Sequence, residues 1–239
     1  MKKLPLVALT STLFFTCHAV NAAIALDRTR IIYNGQDKSI SLNISNENKT
    51  LPYLAQSWIE NEQQQKVTTP LVATPPVQRV EAGKKSAVRI SATPDALKLP
   101  QDRESLFYFN LREIPPNSEK PNVMQIALQT KIKLFYRPAG ITATSGQIWQ
   151  DQLVLHKTAQ GFRIENPTPY YITVEGLAEK GKSAANSDFQ PVMIAPKSSA
   201  ELKSARFAAP VLTYINDYGG RPELNFSCSG AVCRAVKSV

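Results

Sequence analysis

NVMQIALQTKIKLFYRP, residues 122–138, decides how this 239-residue chain is read. Met124, Ile126 and Leu128 alternate with Gln125, Ala127 and Gln129. Alternation of apolar and polar side chains marks a half-buried β-strand. The pattern predicts one strand from Val123 to Tyr136, well beyond the usual length of about five or six residues. At roughly 3.3 Å per residue such a strand reaches about 45 Å. Its apolar side chains lie at one end, and Lys131 and Lys133 lie toward the other. A strand longer than its own core needs has a second surface to serve.

Working outward, strand patterns recur along the chain. KSISLNIS (38–45), YLAQSWIEN (53–61), SAVRIS (86–91) and SLFYFNLREI (105–114) precede the central stretch. QIWQDQLVLHK (147–157), FRIENP (162–167), YYITVEGL (170–177) and ELNFSC (223–228) follow it. Turn signals separate them, among them Asn34-Gly35, Ala82-Gly83, Pro115-Pro116, Lys180-Gly181 and Gly219-Gly220. No segment sustains a helical period. Seventeen prolines and many short strands predict an all-β chain built as sandwiches. The polarity pattern restarts around PAGITATSG (138–146), which places a domain boundary there.

The opening, MKKLPLVALTSTLFFTCHAVNAA, has a positive start, a short apolar run and small residues before Ala22. This is the form of a secretory leader, too short for a membrane span. Cleavage is expected after Ala22, with Ala23 the neighbouring choice. Cys17 follows Thr16, a poor fit to a lipidation signal. Loss of Lys2 and Lys3 with the leader takes the formal charge from +9 to +7. The basic residues are scattered without aromatic interleaving, so a nucleic-acid partner is not expected, and with no other long apolar run membrane insertion is not expected either. Cys228 and Cys233, close together in FSCSGAVCR, are expected to form a disulfide in an oxidising compartment. His156 is the one histidine left after the leader, so neither a metal site nor a Ser-His hydrolase is supported. Paired carboxylates of a glycosidase stay open, although the acids here sit among basic residues. No nucleotide loop is present and no cofactor is expected.

Several long stretches resemble one family. ALDRTRIIYNG (25–35), ISNENKTLPYLAQSWIEN (44–61), ATPPVQRVEAGKKSAVRI (73–90), LPQDRESLFYFNLREIPP (99–116), ENPTPYY (165–171) and YINDYGGRP (214–222) look like the periplasmic chaperones of pilus assembly. The likeness covers essentially the whole chain after the leader. It implies two immunoglobulin-like sandwiches joined at an angle with a cleft between them: residues 1–22 as leader, 23–141 as the first domain and 142–239 as the second.

The resemblance also assigns roles. Arg30 and Lys133 would hold the C-terminal carboxylate of a pilus subunit in the cleft, with Thr29 adding a hydrogen bond. A carboxylate leaving water needs charge-assisted donors, and Arg supplies a planar fork. Met124, Ile126 and Leu128 would enter the groove of a subunit that lacks its last strand, which is donor-strand complementation. Glu104, Arg137 and Asp217 match a charged network between the domains. The implied function is a periplasmic, non-enzymatic chaperone that caps subunits and delivers them to an outer-membrane usher. The alternative from another class is a secreted carbohydrate-binding or glycosidase sandwich. An exposed apolar edge is a liability, so a self-dimer is expected when no subunit is bound. Simple alternation puts Lys133 on the face opposite Met124, Ile126 and Leu128. Either the strand bulges between them, or its two faces serve different surfaces.

Overall fold

The computed structural model describes residues 22–118, 122–144, 146–181 and 189–236. The expected leader therefore lies outside the described residues except for Ala22.

The first half of the chain folds into strands β1 (Ile24–Leu26), β2 (Arg30–Asn34), β3 (Ser39–Asn46), β4 (Tyr53–Asn61), β5 (Lys66–Val67), β6 (Leu71–Thr74), β7 (Val77–Val80), β8 (Lys85–Ala92), β9 (Ser105–Ile114) and β10 (Gln129–Arg137). One sheet has the order β1-β3-β8-β6. The other has the order β2-β10-β9-β4-β5, with β7 also on β4. Alternation decides which side chains meet between them. Leu42 and Ile44 on β3 and Val88 and Ile90 on β8 point inward, opposite Ile31, Ile59, Phe109 and Leu134 of the facing sheet. Each fully buried aliphatic or aromatic side chain of this kind contributes about 1.5–3 kcal/mol.

The second half contains β11 (Val154–Thr158), β12 (Gly161–Asn166), β13 (Ile172–Glu179), β14 (Val192–Ile194), β15 (Ser198–Lys203), β16 (Pro210–Ile215), β17 (Glu223–Ser229) and β18 (Val232–Ala235). Their order is β14-β13-β16-β17-β18-β11-β12-β15. Glu223–Asn225 of β17 pair with β16, while Phe226–Ser229 pair with β18. A strand that changes neighbours part-way folds the eight into two layers around Trp149, Phe162, Ile172, Leu212 and Phe226. Cys228 and Cys233 are direct partners across β17 and β18 and form a disulfide. The stretch 147–157, read as one strand, instead begins as a short 3-10 turn at Gln150–Gln152 before β11. That turn buries Trp149 against Tyr170.

The strand expected from Val123 to Tyr136 begins only at Gln129. The ladder to β9 runs without a shift from Gln129↔Arg112 to Tyr136↔Ser105. One further bond, from the Glu113 N–H to the Leu128 carbonyl, extends it. Beyond that β9 ends, so among the described residues 123–127 have no backbone partner to make them a strand. Leu134, Phe135, Tyr136 and Arg137 are all buried because the far end of β10 is covered on both faces. Leu134 and Tyr136 enter the first core. Phe135 meets Tyr171 and Arg137 meets Asp217 of the second half.

Candidate binding cleft

Two cations lie side by side on the β10 face that looks toward the second half. β2 runs parallel to β10, and Arg30 and Lys133 are direct register partners. Arg30 donates from Nη1 to the Ile215 carbonyl at 3.4 Å, and its buried Nε has no hydrogen-bond partner. Lys133 Nζ donates to Thr173 Oγ1 at 3.2 Å. Among the described residues neither cation forms an ion pair. Burial lowers the pKa of Arg30, against the weaker pull of Asp217 and Glu175. Burial lowers that of Lys133 too, and the charge of Arg30 adds to the effect. Two adjacent, partly desolvated cations without a carboxylate form a site that favours an anion.

The edge of β10 leads to this site. β2 covers only Lys133–Arg137, so Gln129–Ile132 have no strand on that side among the described residues. An extended chain laid along the open edge would meet the start of β2 at Arg30. Further out, Met124 is 87 % exposed, Ile126 67 % and Leu128 38 %. None of the three belongs to the first core. Gln125, between them, donates its side-chain amide to the Pro116 carbonyl at 2.5 Å. The unshifted ladder removes the bulge alternative between Gln129 and Tyr136. Within β10 Lys133, Phe135 and Arg137 face the second half, and Ile132, Leu134 and Tyr136 face the first core.

Four residues beyond Lys133 on the same face, Arg137 is fully partnered. Its Nε and Nη2 reach Glu104 Oε1 at 2.8 and 2.7 Å, and Nη1 reaches Asp217 Oδ2 at 2.9 Å. The guanidinium also packs on Trp149 and Tyr170, 5.1 and 4.8 Å from their ring centroids. Glu104 Oε2 accepts from the Tyr171 N–H at 2.7 Å. Burial pushes the Glu104 carboxyl up to about 7, while Arg137 and the Tyr171 N–H pull it back. The three charges therefore join strand β10, the segment before β9 and the loop after β16.

Thr29 is exposed and sits against the loop after β16: a Cβ added to Gly219 would fall 2.6 Å from Thr29 Oγ1. Gly219 has φ +82°, so both backbone conformation and space require glycine there. A groove of about 700 Å³ opens beside Arg30, lined by Thr29, Ile32, Arg137, Trp149, Asp217 and Tyr218. Thr29 lines this groove together with Arg30, whose register partner on β10 is Lys133.

Comparison with known proteins gives this geometry its context. The family described as "Pili and flagellar-assembly chaperone, PapD N-terminal domain" matches residues 23–142. "Pili assembly chaperone PapD, C-terminal domain" matches residues 148–226. The chain is 61 % identical over 224 residues to the chaperone protein PapD of Escherichia coli, covering 93 % of this chain and 94 % of that one. The chain belongs to the PapD family of pilus-assembly chaperones. The crystal structure of the E. coli chaperone DraB, 28 % identical, superposes with a TM-score of 0.71 over 87 % of this chain and 97 % of that one. The SafB chaperone, solved in complex with the Salmonella enterica SafA pilin, shares the two-domain fold at a TM-score of 0.73, with 24 % identity over 88 % of this chain and 99 % of the other.

PapD-family proteins are chaperones and not enzymes, so the glycosidase alternative falls. The cleft of this PapD-family chain also uses residues that the pattern along the sequence did not single out. Thr173 and the Ile215 carbonyl hold the two cations, and Tyr171 closes over Phe135. A carbonyl carries no side-chain signal, and Thr173 and Tyr171 lie in an ordinary strand pattern. The phase of Lys133 was a local clue that a second surface faces β10.

Proposed function

We propose that this chain is a periplasmic chaperone that holds pilus subunits by a terminal carboxylate and an apolar arm, and passes them to an outer-membrane usher. One observation carries the reading: the open edge of β10 ends at two partly desolvated cations in register, Arg30 and Lys133, which form no ion pair among the described residues. A strand added to that edge, with its carboxylate at Arg30, runs parallel to β10 and lies end to end with β2. Its side chains then share a surface with Met124, Ile126 and Leu128, whose exposure suits insertion into a partner's groove. Backbone bonds supply affinity for different subunits. The carboxylate sets register, because a one-residue slip turns every arm side chain away. Glu104, Arg137 and Asp217 keep the two domains at the angle this geometry needs.

The test is co-expression with the subunit genes and recovery of complexes from a periplasmic extract. Wild type should co-purify with a subunit, whereas Arg30→Ala should remain folded and lose the complex. The expected loss is about 2–5 kcal/mol, as for truncating one side of a buried charge pair. Undiminished complex with Arg30→Ala would remove the anchor from this reading.

A further inference from the structure

Glu113 is a buried charge that the cleft does not use. It is 6 % exposed and lies near the end of β9, in the phase that faces the first core. Its Oε2 accepts a hydrogen bond from the Ile24 N–H at 2.9 Å. Among the described residues no lysine, arginine or histidine pairs with it. A carboxylate withdrawn from water and given one neutral donor is costly unless a cation completes the site.

The neighbouring residue can supply that cation. The Ala23 carbonyl accepts from the Glu47 N–H at 2.6 Å, so the Ala23–Ile24 peptide is held on both sides. The nitrogen of Ala23 is one residue along the chain from the Ile24 N–H that donates to the carboxylate. Hydrolysis of the Ala22–Ala23 bond by a leader peptidase consumes one water, leaving a carboxylate on Ala22 and, at neutral pH, an ammonium on Ala23. Before cleavage that nitrogen is an uncharged amide.

We propose that the Ala23 ammonium freed by leader removal is the counter-ion of Glu113, completing a buried ion pair at the root of the apolar arm. The location gives the pair a consequence. The Glu113 N–H donates to the Leu128 carbonyl at 3.0 Å, the last ladder bond before the arm departs. That bond joins Glu113 to the residue from which the arm carrying Ile126 and Met124 departs. An uncompensated carboxylate beside Leu128 draws water to the base of the arm, and the ion pair closes it. Removing the leader thus seats the arm as well as freeing the chain.

The inference rests on reading residues 1–22 as a leader, and its primary test needs no subunit. Mature protein beginning at Ala23 is compared with the same chain carrying one extra glycine in front, each with Glu113 and with Glu113→Gln. The glycine should lower the melting temperature by about 5 °C or more with Glu113 present. It should have almost no effect in the Glu113→Gln background, because the partner is gone. Equal shifts in both backgrounds overturn the proposal. So does a secreted chain whose mass shows a start other than Ala23. Should Glu113→Gln fail to fold, the rate of α-amine labelling at neutral pH decides. The folded authentic chain should label about tenfold slower than the unfolded chain at its N-terminus, and equal rates overturn the pairing. Subunit capture by the glycine-extended protein is then measured separately, so that a failure of the chaperone reading is not confused with a failure of the ion pair.

Discussion

Lys133 and Arg137 lie on one face of one strand, four residues apart, and meet opposite electrostatic circumstances. Arg137 touches two carboxylates and two aromatic rings. Lys133 touches a hydroxyl and lies beside another cation. The paired charge repays its desolvation within the folded chain and holds the two halves together. The unpaired charges cost the free protein stability, and an arriving carboxylate would recover that cost. Satisfied charge at a domain junction reads as architecture, and unsatisfied charge at the same junction reads as a binding site.

The comparison breaks first at Arg137. Arg137→Ala strands Glu104 in a buried position and should cost about 3–5 kcal/mol. Calorimetry should show a lowered or split unfolding transition. An unchanged melting temperature would mean that the network is decorative.

Lys133→Met should move stability the other way. Removing one of two adjacent desolvated cations should leave the melting temperature equal or higher, while subunit capture falls by about 2–5 kcal/mol. A destabilised Lys133→Met would place Lys133 with Arg137 as a structural charge.

The arm supplies a finer contrast. Ile126→Asp should weaken capture by at least about 1.5–3 kcal/mol, since it removes apolar contact and puts a charge in an apolar groove. The free protein should melt as before, because Ile126 is exposed. Gln125→Asp should cost less, about 0.5–1.5 kcal/mol, through loss of the bond to the Pro116 carbonyl. Equal losses of capture would mean that the two faces of the arm do not differ.

Alkaline pH probes the anchor without mutation. The Lys133 pKa is depressed in the fold, so between that value and the ordinary lysine value the unfolded chain binds more protons. Stability of the free chaperone should therefore rise slightly through that window. Capture should fall across the same range, because a carboxylate binds the charged form. Titration of both quantities from neutral pH upward checks the opposite signs. The smallest expected effect is weak self-association of the free chaperone through its arm, visible in sedimentation at high concentration and abolished by a bound subunit.

Much of the architecture was legible locally. Alternation in β3, β4, β8 and β9 placed those strands within a residue or two, because a half-buried strand writes its two faces into every second position. Short strands such as β5, β7 and β14 were not legible, since two to four residues carry too little periodicity. The central stretch was over-read for a physical reason: alternation at 123–128 describes side chains, whereas a strand also needs a backbone partner, and β9 ends at Ile114.

By itself the sequence determined that the chain is β-rich and that Cys228 and Cys233 are close enough to pair. Its long motifs were sufficient to place it beside the pilus chaperones. Periodicity alone could not rank Lys131, Lys133 and Arg137, three cations in the same phase of one strand. Tertiary structure separates them. Lys131 meets Glu60 near the surface, Arg137 meets an aspartate 80 positions away, and among the described residues Lys133 meets Thr173 and the field of Arg30. Periodicity reports which way a side chain points; what waits there is decided by segments distant in sequence, and that decides whether a charge holds the fold or awaits a partner.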